Sequence, residues 1–342
     1  MENSNSPYNE TLPNKILTTT AGSLSIFGTL VIFLTFYIWK DLRTASRKIL
    51  VYISIGDFLT ALVNISGLWL SATLYNKVTD SKHDHDMYID LCTAEGFVNI
   101  AAIISSFFWT FYLSVYLYLA VCKGLESSTE RIVLRVFHVT AWGIPLVIAC
   151  LALALNEVGP LVYPNKVSDG WCWVKTGSKN PNPNKIAWMF IAGKGWEILA
   201  YIGITAFYIR VKVHLRQQVY SCQGAPFLTM GSIEAARKAD RKFTFIPVIF
   251  ILLRMWGTIR FFLYISGQGH PEYEWLRILH GIGDSSQGFA NFVIFCVFTE
   301  KMRSHFKYWF SKIFPCCSKP MESSAHVGYE STNILTDHSY ET

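Results

Sequence analysis

The chain has 342 residues, of which 51% are hydrophobic and 16% are charged, and its formal net charge is +6. Soluble domains carry about 25% charged residues, so this composition excludes a typical soluble enzyme, a disordered chain and a disulfide-rich miniprotein. The apolar residues come in long blocks, and a bilayer span needs about 20 such residues in a row. The composition therefore indicates a polytopic membrane protein.

Seven apolar blocks follow one another along the chain, and each is long enough to cross a bilayer as a helix. Backbone amides in lipid must find hydrogen-bond partners within their own segment, so each block should be helical. The alternation of apolar and polar residues that builds a transmembrane β-barrel is missing. We therefore predict an all-α membrane protein, a seven-transmembrane helix bundle with a short amphipathic eighth helix. The predicted spans are residues 16–39, 49–76, 96–122, 136–156, 186–209, 243–266 and 278–299.

The segments outside the seven-transmembrane bundle of residues 16–299 are short. Residues 1–15 are predicted to be an extracellular N-terminus, residues 300–314 an amphipathic helix at the membrane surface, and residues 315–342 a cytoplasmic tail. Cys316 and Cys317 follow the amphipathic helix and are candidates for palmitoylation. The alternative for these two residues is a frayed tail with unmodified thiols.

Lys and Arg are distributed unevenly between the two sides of the predicted bundle. The loops after the first, third and fifth spans, together with the tail, carry 19 of them, and the opposite side carries 8. Because cytoplasmic loops are rich in Lys and Arg, the N-terminus should lie outside, and a glycosylation sequon that begins at Asn9 agrees with this orientation. A basic inner surface that faces anionic membrane lipid accounts for the net charge, so no nucleic-acid partner is expected.

Two of the eight cysteines, Cys92 and Cys172, fall on the predicted outer side of the membrane. Disulfides form in oxidising environments such as the cell exterior. We therefore expect these two residues to pair and to pin the second outer loop over the bundle, with two free thiols as the alternative.

Ionisable and polar side chains within the spans are costly in lipid and should face the bundle interior. Two interpretations stay open for the charged ones: they form ion pairs that hold the helices in register, or they face a ligand at the outer side. The candidates for a ligand pocket are Glu95, Asn99, Lys194, Glu197, Arg260, His280 and Asp284. The candidates for a network that repacks on activation are Asp57, Arg254, Gln287 and Asn291.

Sequence spacing suggests partners for some of these charges. Lys194 and Glu197 are three residues apart, so they can share a helix face and pair. Arg254 and Arg260 are six residues apart and cannot share a face. Asp284 is the expected partner of Arg260, because a short loop joins the sixth and seventh spans at that depth, and Glu197 and Glu95 are the alternative acids.

Other functions of seven-helix proteins find less support. A light sensor would need a lysine in the middle of the seventh span, and a metal hydrolase would need several converging histidines and carboxylates. The run from His83 to Asp86 is predicted to be a solvated loop rather than a metal site. No metal or other cofactor is expected. A transporter or channel remains the alternative, because ion pathways also use buried charges.

Several motifs resemble those of secretin-like and cyclic-AMP-receptor-like G-protein-coupled receptors. Markers of rhodopsin-like receptors are missing, because the third span ends at Val121-Cys122-Lys123 without an acidic-Arg-Tyr triplet and the seventh span has no Asn-Pro-x-x-Tyr. The motifs that carry the resemblance are Ser106-Phe107-Phe108-Trp109 with Leu117-Tyr118-Leu119, Ala141-Trp142-Gly143-Ile144-Pro145 and Gln287-Gly288-Phe289-Ala290-Asn291. A second set is similar to one orphan receptor of this group: Gly170-Trp171-Cys172-Trp173, Gly193-Lys194 with Trp196-Glu197, Ile246-Pro247 and Leu279-His280-Gly281-Ile282-Gly283.

The resemblance implies an orphan G-protein-coupled receptor of the plasma or ciliary membrane that is not an enzyme. It implies a heterotrimeric G protein of the Gq type as partner, with phospholipase C, phosphoinositide and calcium signalling as output, and an extracellular agonist that the sequence does not identify. The large disulfide-rich ectodomain of secretin receptors is not seen in this sequence, which argues against a large peptide hormone. The candidates for G-protein contact are the basic residues Lys123, Arg237, Lys238, Arg241 and Lys242.

Overall fold

The apolar blocks become helices in the computed structural model, which describes residues 12–78, 82–163, 166–175, 183–223, 230–266 and 274–313. Within these residues, six helical stretches are long and apolar enough to cross a membrane. The helices are α1 (Leu12–Ile38), α2 (Ala45–Val78), α3 (Lys82–Tyr118), α4 (Ser127–Ala154), α5 (Pro183–Met189), α6 (Gly195–Gln223), α7 (Met230–Ile265), α8 (Glu274–Ser285), α9 (Gln287–Phe292) and α10 (Glu300–Ile313).

The seventh span consists of α8, α9 and a π-helical turn at Val293–Val297, and it is interrupted at Ser286. Both the backbone nitrogen and the hydroxyl of Ser286 donate to the carbonyl of Ile282, at 2.9 and 2.6 Å. A serine hydroxyl that bonds the carbonyl one turn earlier competes with the helical ladder and bends the helix. The seventh predicted block is therefore helical in two pieces.

The fifth span also has an irregular turn, because a π-helical segment, Phe190–Lys194, joins α5 to α6. Such a turn frees backbone carbonyls from the regular ladder, and two tryptophans donate to them. The indole nitrogen of Trp173 donates to the carbonyl of Ala192 at 3.2 Å, and that of Trp196 donates to the carbonyl of Ile191 at 2.8 Å. Insertions of this kind are frequent at functional sites, and this one carries the buried Lys194.

Among the residues that the structure describes, α3 contributes to three buried clusters of the core. At one end of the bundle, Ile100 and Ile104 of α3 pack with residues of α4 and of a two-stranded hairpin. On another face, Trp109 and Leu113 pack against α2 and α4. A third cluster joins Phe107 to α6 and α7. Because α3 contacts so many elements, residues on it can couple one helix to another.

A short antiparallel hairpin crosses the end of the bundle between the fourth and fifth spans. Its strands are β1 (Val158–Tyr163) and β2 (Lys166–Val174), which place Pro160 opposite Cys172. Cys172 forms the expected disulfide with Cys92 of α3, with a Cα–Cα distance of 5.2 Å. Gly96 lies one turn along α3, where an added Cβ would fall 2.6 Å from a methyl group of Val158. The disulfide prediction is confirmed, and the hairpin lies directly on α3.

The boundaries of some elements differ from the sequence prediction. The run from His83 to Asp86 is helical, because α3 begins at Lys82, so the prediction of a solvated loop there is wrong. The hydropathy of a polar run does not reveal that the helix continues beyond the apolar block. The amphipathic eighth helix is confirmed as α10, a separate unit on which Tyr308, Trp309 and Phe310 are exposed.

Candidate functional site

The first part of the site is an ion pair at the irregular turn of the fifth span. The Lys194 ammonium donates to Glu197 Oε2 at 2.7 Å, and both residues are buried. The other carboxylate oxygen of Glu197 accepts hydrogen bonds from the hydroxyls of Tyr201 at 2.6 Å and Thr258 at 2.5 Å. The pair that the sequence spacing predicted is therefore present. It also reaches α7, because Thr258 lies on that helix.

The second part of the site joins α7 to α8 through Asp284. Arg254 Nη1 lies 3.3 Å from Asp284 Oδ1, and the two side chains are only 1% and 7% exposed. Asp284 Oδ2 lies 3.1 Å from His280 Nε2, and His280 Nδ1 lies 3.0 Å from Arg260 Nη1. Because a guanidinium can only donate, Nδ1 is the acceptor and Nε2 carries the proton that is donated to Asp284. The order Arg260–His280–Asp284–Arg254 forms a relay along the contact between α7 and α8.

The expectation that Asp284 pairs with Arg260 is wrong. Asp284 pairs with Arg254, and Arg260 bonds to His280 instead. The reason is the axial offset of the two antiparallel helices. His280 is level with Arg260, so Asp284, one turn further along α8, is level with the deeper Arg254.

Arg254 occupies a position between three spans. Its guanidinium carbon lies 5.1 Å from the ring centroid of Phe107 on α3, in a cation–π contact. Within the part of the chain that the structure describes, its nitrogens make the ion pair with Asp284 but no hydrogen bond of good geometry. A guanidinium with unused donors in the bundle core suits a polar molecule or water as an additional partner.

The hairpin enters the site through Trp171, a residue that the sequence analysis did not assign to it. The Trp171 ring is stacked on the His280 imidazole, with a centroid distance of 5.1 Å and an interplanar angle of 8°. Trp171 is 9% exposed, and its neighbour Cys172 is fixed to α3 by the disulfide. The position of Trp171 next to Cys172 in the sequence could have predicted its place in the site, because a tethered cysteine holds its neighbours over the bundle.

Gly257 of α7 lies close to two of these groups, His280 and Lys194. A Cβ at this position would lie 2.5 Å from His280 Nε2 and 2.9 Å from the Lys194 ammonium nitrogen. Either distance is shorter than van der Waals contact. The absence of a side chain at Gly257 therefore lets the two halves of the site meet beside α7.

A second polar network lies around Asp57 of α2. Its carboxylate accepts a hydrogen bond from the hydroxyl of Ser106 at 2.7 Å and one from the amide of Asn291 at 2.8 Å. About two turns further along α2, the Asn64 amide donates to the hydroxyl of Ser285 at 3.1 Å. The expected association of Asp57 with Asn291 is present, and Ser106 is a member that the sequence analysis did not identify.

The remaining candidates take other positions. Gln287 is buried on α9, and among the described residues its side-chain oxygen has no hydrogen-bond partner. Glu95 is half-buried and Asn99 is buried on α3. In the described ranges, neither forms a hydrogen bond or ion pair with the relay. Lys123 is exposed at the end of a π-helical turn that follows α3.

Some sequence predictions cannot be placed in this geometry. Asn9, Cys316 and Cys317 lie outside the described residues. Arg237, Lys238, Arg241 and Lys242 belong to the helical backbone of α7, but their side chains lie outside the described part. In the described ranges, no group of three or more His, Cys, Asp or Glu side chains could hold a metal ion.

A helix bundle of this length, with a disulfide-tethered hairpin and buried ion pairs, has the architecture of a multi-pass membrane receptor. A family model described as the 7 transmembrane receptor (Secretin family) matches residues 11–224. The chain belongs to the secretin family of seven-transmembrane receptors. Membership in this family implies a heterotrimeric G protein as partner, and the family is one of receptors rather than enzymes.

Individual relatives agree with this assignment. The chain is 34% identical to human (Homo sapiens) G-protein coupled receptor 157 over 285 residues, which cover 82% of this chain and 79% of the relative. Identity to the Mus musculus receptor of the same name is 32% over 326 residues, covering 93% and 91% of the two chains. Receptor 157 is the orphan receptor whose motifs the sequence resembles, so that resemblance is confirmed.

More distant similarities agree with the fold. The Dictyostelium discoideum cyclic AMP receptor-like protein A is 21% identical over 320 residues, covering 93% of this chain and 73% of that protein. The solved structure of squid rhodopsin has a TM-score of 0.62 and 14% sequence identity, and covers 91% of this chain and 90% of its own. The structural match confirms the seven-transmembrane fold.

Proposed function

We propose that this receptor lies in the plasma membrane, binds an extracellular ligand and activates a Gq-type protein, with phospholipase C, phosphoinositide and calcium signalling as output. The observation that carries this proposal is the charged cluster of Lys194, Glu197, Arg254, His280 and Asp284 beneath the tethered hairpin. Charges inside a membrane bundle are costly and are typical of functional sites. The choice of a Gq-type protein rests on the motif resemblance to the orphan receptor.

The proposed orientation places the N-terminus and the hairpin outside the cell. It is supported by the disulfide on the hairpin, since disulfides form in oxidising compartments. The excess of Lys and Arg in the loops at the opposite side points the same way. In this orientation Asn9 can be glycosylated, and the ciliary membrane is the more specific location that the resemblance suggests.

We assign two roles within the bundle. Lys194, Glu197, Arg260, His280 and Asp284 form the ligand-facing cluster, and Glu95 and Asn99 of α3 are further candidates for ligand contact. Asp57, Asn291, Gln287 and Arg254 form the activation network, which repacks when the receptor is activated. The ion pair between Arg254 and Asp284 supports this division, because it connects the outer relay to the centre of the bundle.

The G-protein surface is proposed at the inner ends of the third and sixth spans. Lys123 is exposed there, and Arg237, Lys238, Arg241 and Lys242 follow one another on the inner part of α7. Palmitoylation of Cys316 and Cys317 would hold the amphipathic helix α10 at the membrane surface.

A single reconstitution experiment distinguishes the receptor function from the transporter or channel alternative. The full chain is placed in proteoliposomes, and nucleotide exchange on added Gq-, Gs- and Gi-type proteins is measured beside ion flux across the same membrane. We expect exchange on the Gq-type protein to exceed that in empty liposomes, with no added flux.

The control is a variant in which Arg237, Lys238, Arg241 and Lys242 are replaced by Gln, which should lose exchange while it is incorporated equally. Flux without exchange on any of the three G proteins would refute the receptor assignment. Exchange that is fastest on a Gs- or Gi-type protein would refute the Gq assignment alone.

A further inference from the structure

We propose that His280 forms the floor of a binding site for a flat aromatic ring, that Trp171 of the hairpin fills this site, and that a small indole-like compound can fill it in place of Trp171. This inference adds a ligand class to the proposed ligand site. Its role in signalling rests on the proposed receptor function, whereas ring binding itself does not. The ligand class that it names is a planar, uncharged aromatic heterocycle.

The geometry of the stack indicates a site that binds an aromatic ring through its face. The two rings are almost parallel, at 8°, with centroids 5.1 Å apart, which corresponds to an offset stack. The Trp171 side chain is buried, yet its indole nitrogen has no hydrogen-bond partner among the described residues. The ring is therefore held by its face, and the polar edge of the indole contributes nothing to its position. A free compound with the same flat ring could make the same contact.

The floor of this site is fixed before a ring arrives. The two imidazole nitrogens of His280 are bonded to Arg260 at 3.0 Å and to Asp284 at 3.1 Å. Because Gly257 has no side chain, α7 backs the imidazole directly. A ring on a floor of this kind loses little binding free energy to reorganisation of the protein.

The tether explains why Trp171 occupies the site without a strong hydrogen bond. Cys172 is bonded to Cys92 of α3 and is paired with Pro160 of β1, so the hairpin holds the neighbouring ring at a high effective concentration. A diffusible ring competes with this tethered one. Removal of the Trp171 side chain should therefore expose the site to small compounds.

The occupant also acts on the relay. His280 is bonded to Asp284, and Asp284 is paired with Arg254 on α7. A ring that stacks on His280 stabilises the arrangement in which this relay joins α7 to α8. A compound that replaces the ring shifts the equilibrium between this arrangement and others by the difference in its affinity for them.

Chemical complementation with free indole tests the proposal without an identified agonist. Thermal unfolding of the purified full chain is measured with and without indole for the wild type, Trp171→Ala and Trp173→Ala. Trp173 is the matched control, because it lies on the same strand but donates to Ala192 and packs against Gly193. We expect indole above its dissociation constant to raise the midpoint of Trp171→Ala by a few degrees, and to leave the other two unchanged.

Two double variants test the role of His280 as the floor. Trp171→Ala with His280→Leu should lose the indole effect, whereas Trp171→Ala with His280→Phe should keep it, because phenylalanine retains a flat ring. An indole effect on Trp171→Ala that survives His280→Leu would overturn the proposal. An equal shift in Trp173→Ala, or no shift in Trp171→Ala, would do the same.

If Trp171→Ala folds too poorly to purify, indole is added to the expressing cells and the surface level is measured. Recovery of Trp171→Ala but not of Trp173→Ala supports the site, and no recovery overturns it. Neither readout involves a G protein. Indole binding without nucleotide exchange would therefore count against the proposed function only, and exchange without indole binding would count against this inference only.

Discussion

The ion pair between Arg254 and Asp284 offers the sharpest test of how the buried cluster stabilises the bundle. At 3.3 Å between Nη1 and Oδ1, two unit charges attract by about 5 kcal/mol at an effective dielectric constant of about 20. Because both side chains are almost completely buried, removal of one leaves the other uncompensated. We expect Arg254→Met to lower the free energy of unfolding by about 3–5 kcal/mol, and Asp284→Asn to cause a similar loss.

The double variant separates the cost of an unpaired charge from the net contribution of the pair. Arg254→Met with Asp284→Asn leaves no charge behind, and the amide oxygen of Asn can still accept from His280. A neutral replacement of a buried ion pair is often nearly isoenergetic with the pair. We expect the double variant to unfold within about 1 kcal/mol of the wild type.

The assay is thermal or chemical unfolding of the purified receptor, with surface level in cells as a second measurement. Lys185→Gln serves as the control, because it breaks the pair of Lys185 with Glu157, whose side chains are 25% and 19% exposed. Ion pairs that are more exposed than Arg254–Asp284 contribute about 1 kcal/mol or less to the free energy of unfolding. Additive losses for Arg254→Met and Asp284→Asn, or a loss no larger than that of Lys185→Gln, would refute the reasoning.

Three further predictions concern the hairpin, the close approach on α7 and the polar network around Asp57. Cys92→Ser and Cys172→Ser should each lower the surface level, and the double variant should be no worse than either alone, since additive losses would contradict a shared bond. Gly257→Ala should reduce the surface level, because its Cβ would lie 2.5 Å from the imidazole of α8, and a wild-type level would contradict this packing. Asp57→Ala and Asn291→Ala, whose side chains are joined at 2.8 Å, should each cost about 1–3 kcal/mol of unfolding free energy. Their losses should not add, and additivity would show that the two side chains act independently.

The sequence by itself determined most of the architecture, because the membrane imposes local rules. A long apolar block must form a helix in lipid, so blocks such as residues 136–156 predicted the position of α4 at Ser127–Ala154. The helices extend past the apolar blocks, as α3 does from Lys82, because a helix that leaves the membrane can continue in polar residues. The amphipathic pattern likewise predicted α10.

Two features of the site were also accessible from the sequence. The pairing of Lys194 with Glu197 depends on helical spacing over three residues. The pairing of Cys92 with Cys172 depends on which side of the membrane each residue occupies. Both are decided by information that hydropathy and spacing contain.

Only the tertiary structure decided which charges meet between helices and where the hairpin rests. Arg254 and Arg260 both lie on α7, and the choice of Arg254 as the partner of Asp284 depends on the axial offset between α7 and α8. The stacking of Trp171 on His280 depends in the same way on where the disulfide fixes the hairpin above the bundle. Offsets and rotations between helices follow from side-chain packing over the whole contact, and a shift of one helical turn, about 5.4 Å, exchanges one ionic partner for another without changing the hydropathy of either span.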